Sequence, residues 1–307
     1  MTHRSGFVGI VGRPNVGKST LLNFFLKEKI AIVSPKPQTT RHRILGALTR
    51  EEAQVIFLDT PGLQKPEHAL GRHMQETAKA VLDEADVIVV LIDGRVGLTE
   101  ADEQVFARIK EVLRRRRGEP RMPAVLLAVN KVDATKKPKL LPVLARCAAS
   151  GLFAECIPVS ALTGVQMDML LAHIIARLPE GPRWYEPDQR TDQTPGRLVS
   201  EFIREQILLA TRQEVPHAAA VLVEQVEERE RVTVVQATIL VERTGQKAIL
   251  IGRGGLMLKR IGTAARQQLA RLLGRKVHLE LWVKVAGGWR EDERLLRELG
   301  YLEPGAS

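Results

Sequence analysis

An α/β domain with a mostly parallel sheet and helices on both faces, followed by a smaller α+β domain, is the fold class that this 307-residue sequence predicts. Three observations predict it. Between residue 6 and about residue 178, short apolar runs (FVGIV, QVIFL, VIVVLI, AVLLAV, CIPVS) alternate with helical patterns, as strands covered by crossover helices do. The stretch LPEGPRWYEPDQRTDQTPG, 178–196, holds four prolines and several turn formers without apolar periodicity, which reads as a linker. After it the order changes to a helix (LVSEFIREQILLA), two strand-like runs (AAAVLVEQVEE, RVTVVQATILVER), a glycine-interrupted helical pair (KAILIGRGGLMLKRIGTAARQQLARLL) and a strand (KVHLELWVKV). The expected division is 1–178, a linker 179–196 and 197–307, with Trp184 and Tyr185 packing the linker onto a domain surface.

Composition narrows the class. With 44% apolar and 27% charged residues the chain reads as globular and soluble. Cys147 and Cys156, nine positions apart with no histidine at ligand spacing, suggest neither a disulfide framework nor a zinc site, and a reducing cytoplasm is expected. Residues 1–6 lack the features of a signal peptide and no run of about 18 apolar residues occurs, so neither export nor a membrane span is expected. The formal charge of +10 points to polyanionic partners, and its distribution is more telling. Between Arg243 and Leu279 there are nine basic residues and no acidic one. The run Arg114 to Arg117 instead ends an amphipathic helical pattern, where cations complement the helix dipole, and reads as a solvated structural feature.

The first apolar run leads into GRPNVGKST, 12–20, in which Gly12, Gly17, Lys18 and Ser19 match G-x-x-x-x-G-K-[ST] between a strand and a helix. Backbone N–H groups of such a loop turn inward as an anion nest, and the helix N-terminus adds its dipole. Lys18 is placed to reach the β and γ phosphates and Ser19 to ligate Mg²⁺, with Arg13, Pro14, Asn15, Val16 and Thr20 completing the loop. In QTTRHR, 38–43, Thr40 offers a hydroxyl that reaches Mg²⁺ when a γ-phosphate is bound. At the end of QVIFL stands DTPG: Asp59 can hold Mg²⁺ through water, Thr60 and Pro61 shape the turn, and the Gly62 N–H can bond a γ-phosphate. After AVLLAV comes NKVD, where the Asp133 carboxylate can accept from guanine N1–H and its 2-amino group while Asn130 and Lys131 position the loop and cover the base. Adenine lacks both donors on that edge, and a site built around such bonds rejects an analogue without them by about 10⁴. SAL, Ser160 to Leu162, offers the Ala161 N–H to guanine O6.

These five elements occur in the order of the GTPase superfamily, and the stretches PKPQTTRHRI, FLDTPGL, VNKVD, TDQTPGRLVSEFIREQI, VPHAAAVLVE, LVERTGQKAILIGRGGLMLKRIG and LWVKV carry the resemblance further. The whole chain resembles the Era family of bacterial GTPases. That resemblance implies a P-loop GTPase domain followed by a type II KH RNA-binding domain, GTP as substrate and Mg²⁺ as cofactor. Leu63 stands where Ras-like enzymes carry a water-orienting glutamine, so slow intrinsic hydrolysis is expected, with the water positioned by backbone, a cation or a partner; Gln64 is the alternative. Related GTPases use an asparagine at the place of Asn15 to help bind K⁺, whereas a purely structural Asn15 would stabilise the loop turn.

Within the basic stretch, Gly252-Arg253-Gly254-Gly255 forms a G-x-x-G loop between helical segments, the feature with which KH domains clamp about four single-stranded nucleotides. Lys247, Ile251, Lys259 and Arg260 flank it and complete the expected RNA contacts. Trp282 and Trp289 could stack bases, but their apolar strand and C-terminal contexts read as core. The resemblance makes the RNA the 3′ region of small-subunit 16S rRNA and the role 30S subunit assembly, in a cytoplasmic monomer with peripheral association at the inner membrane. The rival reading is a signalling GTPase whose basic second domain binds a protein or anionic membrane surface; a constitutive RNA binder with a vestigial first domain conflicts with the intact Lys18, Asp59 and Asp133.

Overall fold

A computed structural model describes residues 3–62, 66 and 68–302. The chain forms two compact units: one of Met1–Ala31, Thr40–Lys65 and Met74–Asp192, the other of Ile32–Thr39, Pro66–His73 and Gln193–Ser307.

In order, the first part of the chain runs β1 (Arg4–Val11), α1 (Lys18–Leu26), β2 (Ile44–Thr49), β3 (Ala53–Asp59), α2 (Ala69–Glu84), β4 (Val87–Asp93), α3 (Glu100–Arg115), β5 (Ala124–Asn130), α4 (Lys137–Ala149), β6 (Glu155–Pro158) and α5 (Met167–Ile175). The sheet order is β2-β3-β1-β4-β5-β6, parallel except for β2, which pairs antiparallel with β3. Every residue of β3 and β4 is buried, which is why these strands read as unbroken apolar runs. Strand β2, ILGALT, is the one the sequence reading missed. Its Gly46 lies under Leu22, Leu26 and Ile30, so helix packing fills the place of a side chain. Helices α1 and α5 cover one face through Leu21, Leu22, Leu170 and Ile174, and α3 and α4 the other through Phe106, Ile109, Leu140 and Cys147. Both cysteines are free, and burial pushes the Cys147 thiol up to about 11.

The linker residues pack as expected: the Gln54 carbonyl accepts from the Trp184 and Tyr185 N–H groups, and the Trp184 ring lies 5.5 Å from that of Phe7. In the tetra-arginine run, Arg115 pairs with Asp83 and Arg116 with Glu119 and the Ala85 carbonyl.

The second part runs α6 (Pro195–Ala210), α7 (Val215–Ala218), β7 (Ala220–Glu228), β8 (Val232–Val241), α8 (Thr244–Ile251), α9 (Leu256–Leu273), β9 (Lys276–Val285) and α10 (Glu293–Glu298). Strands β7 and β8 are antiparallel, and the α8–α9 pair returns the chain to β9, parallel to β8. Phe202, Ile203 and Ile207 of α6 meet Ile261, Ala265 and Leu269 of α9 in the core. Trp289 is fully buried, its Nε1–H donating to the Ala218 carbonyl at 2.8 Å. Trp282 is 47% exposed, against the expectation of core packing. Strand alternation is the reason: Val277, Leu279, Leu281 and Val283 join the core and put Trp282 on the opposite face.

Residues 32–39 pack within this second unit. The Val33 N–H donates to Glu205 at 2.8 Å, the Lys36 ammonium to the Leu208 and Thr211 carbonyls at the end of α6, and the Arg204 guanidinium to the Thr39 carbonyl. Among the described residues, no helix is long and apolar enough to cross a membrane.

Candidate functional site

The carboxyl ends of the parallel strands gather the predicted motifs, where open α/β sheets place ligands. The loop 12–17 leaves β1 and enters α1 at Lys18. Glycine is required at two of its positions. Gly12 has φ 151° and an added Cβ would lie 2.5 Å from the Leu91 carbonyl; Gly17 has φ 105° and its Cβ would meet the Asn130 amide at 2.3 Å. The Lys18 ammonium is buried and donates to the Gly12 and Arg13 carbonyls at 3.0 and 3.2 Å, lying across the loop it is meant to serve.

The three predicted Mg²⁺ ligands converge. Ser19 Oγ donates to Asp59 Oδ2 at 2.8 Å, Thr40 Oγ1 to the same oxygen at 3.3 Å, and the two hydroxyls are 3.1 Å apart. The other Asp59 oxygen, Oδ1, is buried without a hydrogen-bond partner. Burial pushes the Asp59 carboxyl up, opposed by Lys18 and by the Ser19 and Thr40 bonds; burial pushes Lys18 down, opposed by Asp59. An all-oxygen set with one unpaired buried carboxylate oxygen suits a hard divalent cation. Thr60 is buried with its hydroxyl on the Ile10 carbonyl at 2.9 Å, Pro61 is buried, and Gly62 lies beside Pro14. Val16 is buried, whereas Arg13, Pro14 and Thr20 are half-buried and Asn15 is exposed. Leu63 and Gln64, the residues weighed for positioning water, lie outside the described residues.

The base motifs assemble around Asn130. Its amide donates to the Val16 carbonyl at 2.7 Å and its Oδ1 accepts the Ala161 N–H at 2.9 Å, so one side chain ties the phosphate loop to SAL. The Ala161 N–H, expected to face guanine O6, is thus engaged by Asn130 in this structure, because the buried Asn130 carbonyl needs a donor. Ser160 Oγ donates to Asp133 Oδ1 at 2.6 Å, which orients an otherwise exposed carboxylate. Leu162 is 77% exposed. Sequence reasoning missed Asp102 and Asp93: the buried Asp102 of α3 pairs with Arg13 Nε at 3.3 Å, and Asp93, the last residue of β4, pairs with Lys131 at 2.8 Å. Neither belongs to a contiguous motif.

In the second unit the G-x-x-G segment is a tight turn between α8 and α9, with the Gly255 N–H on the Gly252 carbonyl at 3.2 Å. The glycines divide their work. An added Cβ at Gly252 (φ 71°) would lie 2.7 Å from Met257 Cβ, whereas Gly254 (φ 58°) and Gly255 (φ 78°) have nothing within 4 Å and face open space. Arg253, Lys259 and Arg260 are exposed, and Lys247 and Ile251 are half-buried. Beside the turn a groove of about 380 Å³ is lined by Gly255, Leu258, Lys259, Gly262, Thr263, Arg266, Leu279 and Leu281. The last two apolar side chains and Gly262 were not anticipated; small residues inside an otherwise bulky helical pattern were the available signal.

Comparison with known proteins matches residues 7–131 to the family described as 50S ribosome-binding GTPase and residues 214–290 to the KH domain. A crystal structure of a variant of Aquifex aeolicus Era bound to GDP and AlF4− is 40% identical, with 98% of this chain and 100% of that one covered at a TM-score of 0.90. A second crystal structure, of Era with MgGDPNP and nucleotides 1506–1542 of 16S ribosomal RNA, matches at 40% identity, the same coverage and a TM-score of 0.91.

Proposed function

Since this chain belongs to the Era family of GTPases, we propose that it is a GTP-hydrolysing switch whose KH domain binds the single-stranded 3′ region of small-subunit 16S rRNA, and that it acts in assembly of the 30S ribosomal subunit. The observation that carries this reading is the whole-chain match to Era at 40% identity, with both a guanine-nucleotide constellation and a G-x-x-G loop in place. We assign the GTPase domain to 1–178, the linker to 179–196 and the KH domain to 197–307.

In the nucleotide site, Lys18 neutralises charge between the β and γ phosphates, and the loop backbone from Gly12 to Ser19 supplies N–H donors. Ser19 and Thr40, with Asp59 through water, would hold Mg²⁺, which when bound would supply positive charge beside the phosphates. The Gly62 N–H reads the γ-phosphate, and Asp133 selects guanine. On the RNA side, Gly254 and Gly255 admit the sugar-phosphate backbone while Arg253, Lys259 and Arg260 neutralise phosphates. Asn15 helps bind an activating K⁺ in place of an arginine finger, and the protein works as a cytoplasmic monomer with peripheral contact to the inner membrane.

Crosslinking of the tagged protein to cellular RNA, followed by sequencing, tests the reading: enrichment of the 3′ end of 16S rRNA is expected, and enrichment of none of it would overturn the assignment. Two companion measurements address the chemistry. Lys18→Ala is expected to lower GTP affinity and hydrolysis together, so turnover at the wild-type rate would remove Lys18 from the site. Replacing K⁺ by Na⁺ at constant ionic strength is expected to slow hydrolysis severalfold; an unchanged rate leaves Asn15 a purely structural role.

A further inference from the structure

Asp93 is the last residue of β4, paired in register with Asn130 at the end of β5, and its carboxylate is 3% exposed. Four donors saturate it. Oδ1 accepts the Arg95 N–H at 3.0 Å and Arg95 Nε at 3.1 Å, while Oδ2 accepts Arg95 Nη2 and Lys131 Nζ, each at 2.8 Å. The same Lys131 ammonium donates to the Asn15 carbonyl in the phosphate loop. Both residues at that junction hold a left-handed backbone, Asn15 at φ 63° and Lys131 at φ 68°, a conformation that persists in non-glycine residues only where surroundings over-determine it. Burial alone would push the Asp93 carboxyl up, but the Arg95 and Lys131 bonds hold it well below the usual carboxylate range.

We propose that Asp93 is a positioning residue for guanine-nucleotide binding: it fixes the Lys131 side chain as a wall over the base and, through it, locks the base loop to the phosphate loop at Asn15. The inference rests on the reading of NKVD as the guanine motif. A lysine stem is flexible and its ammonium strongly hydrated, so an unpaired Lys131 would have to be ordered as the ligand binds. The buried carboxylate sets that order in advance, which is how preorganisation raises affinity. Arg95 has a separate part: its planar fork grips both carboxylate oxygens, and Oδ2 accepts Lys131 Nζ beside Arg95 Nη2. Asparagine at 93 would turn an N–H toward either Arg95 or Lys131, setting donor against donor. The effect belongs to binding and not to the γ-phosphate, so GDP and GTP share it.

A double-mutant cycle in Asp93→Asn and Lys131→Met, read as GDP and GTP affinity with circular dichroism and nucleotide-free melting as folding controls, tests this. Each single variant is expected to weaken both nucleotides about tenfold, and the double variant no more than either single, because both remove one interaction. The rate of hydrolysis at saturating GTP should move much less than the affinity. Losses that multiply in the double variant, or an Asp93→Asn protein that melts lower yet binds as tightly, would overturn the proposal. Wild-type protein that does not prefer GDP over ADP would instead overturn the underlying guanine reading. A measurement without variants decides independently: ¹⁵N-labelled lysine should give a Lys131 ammonium signal in slow exchange with water before nucleotide is added, and a fast-exchanging ammonium would sink the proposal even if Asp93→Asn fails to fold.

Discussion

In the proposed guanine site Asp133 carries the choice between purines, and its two carboxylate oxygens state the prediction. The carboxylate offers two acceptors to guanine N1–H and N2–H, and the Ser160 hydroxyl fixes its plane at 2.6 Å. Asp133→Asn keeps one acceptor for the N1–H and sets a donor against the 2-amino group. One charge-assisted bond is lost, worth roughly 1.5–3 kcal/mol, so GTP affinity should fall by about 10- to 10²-fold. Xanthosine triphosphate, whose 2-oxo group accepts, should gain. Titration of both nucleotides against both proteins checks this, and an equal loss of both would assign the residue to folding. Residues of this kind were legible in the sequence because phosphates and bases demand donors at fixed short spacing, as in Gly12 to Ser19. Asp93 was not, since its partner Lys131 lies 38 positions away and only the fold joins them.

The sequence marks LVSEFIREQILLA only as a helix, and in α6 its charged Glu201, Arg204 and Glu205 are all buried. Arg204 pairs with Glu201 at 2.7 Å, one helical turn away, and donates onward to the Thr39 carbonyl. The carboxylate of Glu205 accepts the Val33 N–H. Beyond its apolar start at Ile32 and Val33, segment 32–39 is therefore held by bonds to buried charged side chains, which hydrophobic periodicity cannot reveal. Arg204→Met should strand the Glu201 carboxylate in a dry environment and cost about 3–5 kcal/mol in chemical denaturation. The double variant Glu201→Gln/Arg204→Met should recover much of that loss. If Arg204→Met alone were neutral, the pair would have to be solvated in solution. Strands β3 and β4 were legible because burial on both faces leaves continuous apolar runs, whereas edge strand β2 was not, because a glycine and a threonine interrupt its pattern.

At the scale of the molecule, the order of the five nucleotide motifs and the acid-free basic stretch between Arg243 and Leu279 declared two functions in one chain, and the whole-chain match to Era agrees. The groove along α9 was hidden, because Leu279 and Leu281 come to it from β9 and only the fold brings them there. Two functions on separate elements should fail separately. Aspartate at both Gly254 and Gly255 sets bulk and negative charge into open space on the proposed path of the RNA backbone; neither Cβ meets protein, and aspartate tolerates the left-handed backbone better than most residues. Single-strand affinity should therefore fall steeply while GTP hydrolysis without RNA survives. Gly252 is the contrasting control, since its Cβ would strike Met257 and an alanine there should destabilise the fold itself. Arg253→Ala is predicted to behave differently again, weakening RNA nearly uniformly across sequences and reducing the salt slope by about one phosphate contact. RNA affinity measured against salt for the wild type and each variant, with melting and GTPase controls, separates these outcomes. A folded double-aspartate variant that bound RNA as tightly as wild type would exclude the glycine turn as the clamp and return the basic domain to a protein or lipid partner.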